Sequence, residues 1–220
     1  MRSKALAASL IWAPLFILLI TVSASADSAR FWDFEGLKSD APLQGLSFVR
    51  AGKGPLGNWV IQEALDAPSG THVLAQLNDD RTDYRFPMAI SDGPLLRNVQ
   101  LSVSCKFISG KIDQAGGLVF RYRDENNYTV VRANALEQDI QLFKVVDGSR
   151  ASFARWKGPV TAGVWHHLRV TVRRHRFTIY WDGQQVLESH DKAAPRAGLS
   201  GLWTKADSVT FFDDFEIESL

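Results

Sequence analysis

Three arginines, a tyrosine and an asparagine fall on one side of a predicted β-hairpin over residues 116–135. The polar run Asp124-Glu-Asn-Asn127 predicts the loop, which places Arg123 opposite Tyr128. Because side chains alternate between the two faces of a strand, this register divides the hairpin into an apolar and a polar face. The apolar face holds Leu118, Phe120, Tyr122, Thr129, Val131 and Ala133. The polar face holds Val119, Arg121, Arg123, Tyr128, Val130, Arg132 and Asn134.

The polar face has the chemistry of a ligand groove. A guanidinium offers several donors in a planar fork, which suits sugar hydroxyls and carboxylates. We therefore expect a groove lined by Arg121, Arg132 and Asn134, with the Tyr128 ring available for stacking on a sugar. The alternative is a solvated sheet face on which the arginines pair with nearby acids.

Two further segments carry candidate ligand-binding residues. His167 and Arg169 point outward on a predicted strand over 164–173. They line the same groove if the two sheets are arranged so that this strand borders it. Trp203 and Lys205 stand on a corner that would rim the groove. The alternatives are that Trp203 packs in the core and that Lys205 pairs with Asp207 across the corner.

Four carboxylates near the two ends of the chain suggest a structural calcium ion. Asp33 and Glu35 lie on a short aromatic strand, and Asp213 and Asp214 lie inside the predicted last strand. Calcium takes six to eight oxygen ligands, including backbone carbonyls, so a few carboxylates and a loop suffice. Since neighbouring strand residues face opposite ways, only one of the two adjacent aspartates is expected to be a side-chain ligand. The alternative is hydrogen bonding to backbone amides at strand ends.

No catalytic group is identified from spacing. Glycosidic-bond hydrolysis needs two carboxyl groups about 5–10 Å apart, and no such pair can be picked out of the sequence. His166 and His167 are adjacent on a strand and point apart, so they do not share a zinc ion side by side. The catalytic residues are therefore unknown, and the sequence leaves open whether the chain is an enzyme.

The elements that must position these residues are short strands. The clearest strand alternates buried and polar positions, with Val99, Leu101, Val103, Cys105 and Phe107 on the buried side. Asp147-Gly148 and Asp182-Gly183 are hairpin turn signals. About a dozen such strands and no amphipathic helix predict an all-β fold with two antiparallel sheets, a sandwich or barrel.

The first 26 residues have the pattern of a secretory signal peptide. Basic Arg2 and Lys4 precede an apolar stretch over 10–20, and Ala24-Ser-Ala26 offers a cleavage site. We expect one domain over 27–220 that is secreted or periplasmic, monomeric and not inserted in a membrane after cleavage. The formal net charge of the whole chain is +1, which gives no support for a nucleic-acid partner. A single cysteine excludes an internal disulfide.

Several motifs together resemble a known superfamily. They are Trp165-His-His-Leu-Arg169, Ile179-Tyr-Trp-Asp-Gly183, Gly201-Leu-Trp-Thr-Lys-Ala-Asp207, Phe212-Asp-Asp-Phe215 and Gly117-Leu-Val-Phe-Arg-Tyr-Arg-Asp124. The chain is similar to concanavalin A-like lectin and glucanase jelly rolls of the laminin-G-like and family-16-like branch. Within that branch it resembles the secreted 3-keto-disaccharide hydrolase-like domains.

The resemblance implies a jelly roll with one convex and one concave sheet, a carbohydrate partner on the concave side and, often, a structural calcium ion. It implies no catalytic residues, because the Glu-x-Asp-x-x-Glu run of family-16 glucanases does not occur in this chain. Three functions stay open. The first is an exported carbohydrate-binding domain, the second a hydrolase or lyase acting on 3-keto-disaccharides or related glycans, and the third a non-catalytic structural or adhesion module.

Overall fold

The computed structural model describes residues 29–36, 43–191 and 196–220, and these residues form fifteen strands and no helix. The strands in chain order are β1 (Arg30–Trp32), β2 (Leu46–Gly52), β3 (Trp59–Glu63), β4 (His72–Gln76), β5 (Arg85–Ser91), β6 (Val99–Ser109), β7 (Ala115–Asp124), β8 (Asn127–Asn134), β9 (Asp139–Val146), β10 (Ser149–Lys157), β11 (Trp165–Arg173), β12 (Arg176–Trp181), β13 (Gln184–His190), β14 (Leu199–Thr204) and β15 (Val209–Ser219). Within these ranges, no helix is long and apolar enough to cross a membrane. The predicted signal peptide lies outside the described residues.

The strands form two antiparallel sheets that pack face to face. Sheet A has the order β13-β12-β11-β6-β15-β4-β3, and β1 also pairs with β15. Sheet B has the order β10-β9-β8-β7-β14-β5-β2. The all-β, two-sheet antiparallel jelly roll expected from the sequence is confirmed.

The main core lies between the two sheets. On sheet A, the alternating residues of β6 predicted to be buried are at most 1% exposed, and Leu168, Val170 and Val172 of β11 are fully buried. From sheet B, Leu118 and Phe120 of β7 belong to the same apolar cluster. Each fully buried side chain of this size contributes about 1.5–3 kcal/mol relative to its exposed state, so the core stabilises the sandwich without a disulfide.

The two ends of the described chain meet. β1 pairs with β15, with Trp32 opposite Phe215, and the two rings stack with centroids 5.2 Å apart. Phe215 is fully buried. The first strand therefore covers an aromatic part of the core that the last strand supplies.

The β7–β8 hairpin differs from the predicted register because β7 contains a bulge. Asp124 pairs with Asn127, so the turn has two residues, but Phe120 pairs with Thr129, whereas the predicted register would place Phe120 opposite Val131. Arg121 to Arg123 lie between these two pairs where β8 has only Tyr128, so β7 has two extra residues relative to β8. Arg121 adopts a positive φ of 53°, and the alternation of faces reverses there, since Phe120 belongs to the main core and Tyr122 to the cluster on the opposite face. Tyr122, predicted to face the core, consequently lies on the other face of the sheet.

Candidate functional site

The face of sheet B turned away from the core is a second cluster of buried side chains. Its members come from six strands and include Phe86, Met88, Val119, Tyr122, Tyr128, Val130, Arg132, Asn134, Asp139, Phe143, Val145, Arg150 and Trp203. We call this surface the concave face. Many of its side chains are buried although no second sheet covers them, since sheet A packs on the opposite side.

Arg150 demonstrates the curvature of this face. It lies on edge strand β10, and Phe86 lies on β5, five strands away in the sheet order. Five inter-strand spacings correspond to about 24 Å in a flat sheet. The Arg150 guanidinium carbon nevertheless lies 5.3 Å from the centre of the Phe86 ring and 5.7 Å from that of Trp203. Sheet B must therefore curl around this face, which brings residues of its two edges together.

One end of the concave face is a network of ion pairs around Arg132. The Arg132 Nη2 donates to the Asp139 Oδ1 at 2.7 Å and to the Glu137 Oε2 at 3.0 Å. Arg155 also pairs with Asp139. Arg132 is 2% exposed and Asp139 is fully buried, while the side chains of Glu137 and Arg155 are 43% exposed. The hydrogen bond from Arg132, followed by the charges of Arg132 and Arg155, outweighs burial, which alone would raise the pKa, and holds the pKa of the Glu137 carboxyl below its ordinary value.

A second set of charges continues this network across the sheet. Asn134 donates to buried Asp113. The Lys205 Nζ lies 2.8 Å from an oxygen of Asp113 and 2.8 Å from an oxygen of Asp83. Burial alone would lower the pKa of Lys205, but the two carboxylates outweigh it and raise the pKa. Lys205 is thus an ammonium held at the rim of the concave face, and we call the two sets of ion pairs together the charged end.

The alternative expectation, a pair between Lys205 and Asp207, is wrong, because Lys205 pairs with Asp83 and Asp113. Asp207 instead accepts hydrogen bonds from the backbone amides of Lys111, Ile112 and Asp113. These three amides belong to the connection between β6 and β7, so the carboxylate of Asp207 holds that connection against the corner after β14.

The other end of the concave face contains a pocket of about 260 Å³. We call it the Arg150 pocket. Its walls include Lys53, Tyr84, Phe86, Glu125, Tyr128 and Arg150. The guanidinium carbon of Arg150 lies 3.4 Å from the centre of the Phe143 ring, so the plane of the cation rests on an aromatic surface.

Aromatic rings surround the inner side of this pocket. Phe86 stacks on Trp203 with centroids 5.6 Å apart, and Tyr84 meets Phe86 edge to face at 4.9 Å. Tyr84 is 45% exposed and Tyr128 is 3% exposed. Burial raises the pKa of Tyr128 to about 12, so its phenol is neutral at physiological pH and can act as a hydrogen-bond donor.

Five of the predicted ligand-binding residues come together on the concave face. They are Tyr128, Arg132, Asn134, Trp203 and Lys205. Trp203 is fully buried there, so its predicted exposure at a rim is wrong: it packs beneath Arg150 as part of the floor.

Arg121 does not share a face with Arg132, contrary to the prediction. The bulge turns its side chain toward sheet A, where its guanidinium carbon lies 5.3 Å from the centre of the Phe177 ring. Its Nη2 donates to the backbone carbonyls of Arg97 and Arg174. These contacts assign Arg121 to the end of the sandwich, between the sheets.

His167 and Arg169 also lie apart from the concave face. They alternate with buried Leu168 and Val170 on β11 and therefore occupy the outer face of sheet A. Arg169 stacks over Tyr180 at 4.1 Å, and burial, followed by the charge of Arg169, lowers the pKa of His167. The arrangement of the two sheets therefore does not bring His167 and Arg169 into one groove with Arg132.

Sequence reasoning missed the charged residues that complete the concave face. They are Asp113, Glu137, Asp139, Arg150 and Arg155. A usable signal existed for Arg150, because it lies two residues after Gly148 on the strand that the Asp147-Gly148 turn connects to β9, where it pairs with Val145. No comparable local signal marks Asp113, whose partner Lys205 is distant in sequence.

The acidic residues predicted to hold calcium lie where the two chain ends meet. Asp33 accepts a hydrogen bond from the Glu35 amide, and Glu35 accepts from the amides of Thr71 and His72 at 2.8 and 2.6 Å. These bonds, that of the His72 amide foremost, lower the pKa of Glu35. These contacts are of the kind expected under the alternative, in which the carboxylates accept hydrogen bonds from backbone amides.

The last strand supplies the other two acids. Asp213 accepts from the Ser69 amide at 3.0 Å, and the Ser69 hydroxyl donates to Asp214 at 2.8 Å. Asp213 is fully buried, and burial raises its pKa to about 6. In the ranges that the structure describes, no group of three or more His, Cys, Asp and Glu side chains could hold a metal ion. A calcium ion here would need backbone or hydroxyl oxygens to complete its ligands.

Solved structures with the same fold include proteins of several kinds. A carbohydrate-binding module, CBM66 from Bacillus subtilis, is 20% identical with a TM-score of 0.62, covering 80% of this chain and 98% of that one. The cellulose-induced protein Cip1 is 10% identical with a TM-score of 0.61, covering 87% of this chain and 97% of that one. The GH43 protein BlXynB from Bacillus licheniformis is 16% identical with a TM-score of 0.57, and the match covers 86% of this chain but 39% of that one.

These likenesses are low in sequence identity and establish the fold. No curated protein matches the sequence. The family described as the concanavalin A-like lectin/glucanases superfamily matches residues 83–215, which is more than half of the chain and includes most of the concave face. The chain therefore belongs to the concanavalin A-like lectin/glucanase superfamily.

Proposed function

We propose that the chain is an exported carbohydrate-binding domain whose glycan lies along the concave face, from the charged end to the Arg150 pocket. The observation that carries this proposal is the convergence of ion pairs and aromatic rings on the outer face of sheet B, which no other layer of the described residues covers. Export rests on the predicted signal peptide over residues 1–26.

The chemistry of this face suits a sugar. Ligand sites combine apolar walls with a few fixed polar groups that set orientation. Tyr84 offers an exposed ring for stacking, and Lys205 and Arg155 present charged donors at the rim. Asp139, which also pairs with Arg132, holds Arg155 in place, and Asp113 holds Lys205. The carbohydrate-binding module CBM66 shows that a domain with this fold can bind glycans.

A panel of soluble polysaccharides tests the proposal by isothermal titration calorimetry. We expect the wild-type protein to bind at least one glycan, and the double variant Lys205→Ala/Arg155→Ala to bind it at least about tenfold more weakly, because two charge-assisted donors are lost. Arg173→Ala, an exposed arginine at the end of β11 on sheet A, is the matched control and should bind normally. Absence of binding to the whole panel would contradict the proposal.

A glycosidic-bond hydrolase is the second candidate, and one observation favours it. Glu137 and Asp139 accept from the same nitrogen of Arg132 at 3.0 and 2.7 Å, so these two oxygens are less than about 6 Å apart, which is compatible with the carboxyl separation of about 5–5.5 Å in retaining enzymes. The lowered pKa of Glu137 opposes this role, because a general acid needs a raised pKa. Release of monosaccharide from 3-keto-disaccharides, lost in Glu137→Gln, would favour hydrolysis; binding without release would favour the binding domain.

A further inference from the structure

Arg150, which is half-buried, differs from the buried arginines because protein groups do not satisfy two of its buried donors. Arg85 is fully buried but donates to the carbonyls of Pro55 and Ala206, and Arg132 pairs with two carboxylates. The Nε and Nη2 of Arg150 are both buried and have no hydrogen-bond partner among the described residues. No other side chain in those ranges has two such nitrogens.

An unsatisfied buried donor is costly, so it calls for an explanation. The aromatic rings of Phe143, Phe86 and Trp203 stabilise the cation through their faces, but they accept no hydrogen bond in the plane of the guanidinium. Burial, and then repulsion by the nearby Arg132 cation, lowers the pKa of Arg150 to about 10. Arg150 is therefore still a cation at neutral pH, in surroundings that favour an added anion.

The pocket in front of Arg150 is open to a ligand and carries a second cation. Lys53 and Glu125 are both exposed and both line its walls. No ion pair joins Arg150 to an acid in the described part of the chain. A neutral hydroxyl would fill one donor position without compensating the charge, whereas a carboxylate matches a guanidinium with two parallel hydrogen bonds.

We propose that the Arg150 pocket recognises the carboxylate of an acidic sugar, so that the ligand of the concave face is a uronic-acid-containing glycan. This inference rests on the proposed carbohydrate-binding function and names its ligand class. The carboxylate lies against Arg150 with Lys53 beside it, while the sugar ring lies against Tyr84. The charged end holds the neighbouring sugars.

Matched pairs of polymers test the ligand class directly. Each polyuronate, such as polygalacturonate, polymannuronate or glucuronan, is compared with its carboxyl-reduced form, which has the same backbone but no charge. We expect at least one polyuronate to bind about tenfold or more tightly than its reduced form, and this difference to shrink as salt rises. Equal affinity for both forms of every glycan that binds would overturn the inference and leave the proposed function standing. No binding to any glycan, acidic or neutral, would overturn the proposed function itself.

Variants of Arg150 separate recognition from structure. Arg150→Met keeps an unbranched side chain over Phe143 but removes the charge, so polyuronate affinity should fall to that of the reduced polymer. Because the unsatisfied cation is a cost to the unliganded protein, the melting temperature without ligand should stay equal or rise. Arg150→Lys keeps the charge but not the fork and should bind with intermediate affinity. Arg173→Met is the control and should leave polyuronate binding unchanged. Unchanged affinity of Arg150→Met, whatever its melting temperature, would overturn the assignment.

Discussion

The Nη2 of Arg132 donates a 2.7 Å hydrogen bond to the Oδ1 of Asp139, and both residues are buried on a sheet face that does not contact the main core. Such a pair contributes little net stability relative to apolar residues, since both charges lose their hydration. Removing one partner is costly, because the other charge is left buried. The pair is thus better understood as the fixed base of the charged end than as a source of stability.

Asp139→Asn should destabilise the protein strongly for this reason. It leaves Arg132 without its buried partner, and we expect a loss of about 3–5 kcal/mol in the free energy of unfolding, measured by urea denaturation. Glu137→Gln is the matched control: it removes a carboxylate from the same arginine, but Glu137 is 43% exposed, so its loss should be about 1 kcal/mol or less. Equal losses in the two variants would show that burial does not set the energy of this network.

Closure of the sandwich by its two ends gives a second prediction. Phe215→Ala removes a fully buried ring that stacks on Trp32, and we expect a loss of about 3–5 kcal/mol in unfolding free energy. Phe31→Ala, in the strand that pairs with β15, removes a ring that is 56% exposed and should cost about 0.5 kcal/mol or less. A small effect of Phe215→Ala would mean that β1 does not close the core as the structure indicates.

The sequence predicted the parts of the fold that depend on uninterrupted alternation and on turn chemistry. The buried face of β6 is regular because every second residue from Val99 to Phe107 is apolar. The Asp147-Gly148 and Asp182-Gly183 turns form as expected, and all four residues have the positive φ that such turns require. These features are local, so one sequence is enough to predict them.

The site could not be predicted to the same extent, because it depends on a bulge and on distant pairing. Arg121 adopts a positive φ although it is not glycine, and nothing in the sequence around it predicts that. Glycine at 198 permits it, since a Cβ there would lie 2.3 Å from the Arg121 backbone. The insertion of β14 between β7 and β5 places Trp203 beneath Arg150, and this order of strands does not follow from local patterns.

Asp207 gives a prediction for the dependence of stability on pH. Burial would raise its pKa, but the amides of Asp113, Lys111 and Ile112 outweigh burial and hold the pKa below its ordinary value of 3.8. A carboxyl whose pKa is lowered by folding stabilises the protein above the pKa of the unfolded chain, and this contribution is lost as pH falls through the folded pKa.

Asp207→Asn should therefore be destabilised relative to wild type at pH 7, by about 1.5–3 kcal/mol for lost charge-assisted hydrogen bonds, and the difference should shrink at pH values below 3.8. Urea denaturation of both proteins across this range measures it. Asp147→Asn is the control, because Asp147 is an exposed turn residue with a positive φ that asparagine also adopts. A difference in unfolding free energy between the wild type and Asp207→Asn that stays constant from pH 7 to acidic pH would contradict the role assigned to the carboxylate.

The calcium ion expected from the sequence gives the last prediction. Asp213 is a buried carboxylate beside the Ser69 hydroxyl and Asp214, and a bound cation would offset the burial that raises its pKa. At a concentration a hundred times its dissociation constant, calcium contributes about 2.7 kcal/mol, and each kcal/mol raises the melting temperature of a domain of this size by about 2–4 °C. We therefore expect the melting temperature of the wild type to rise by several degrees when chelator is replaced by calcium at pH 7.5. Asp213→Asn should show no such rise, and the control Asp147→Asn should show the same rise as the wild type. Identical melting curves for the wild type in chelator and in calcium would contradict the prediction and leave the four acids as caps for the backbone amides of the chain ends.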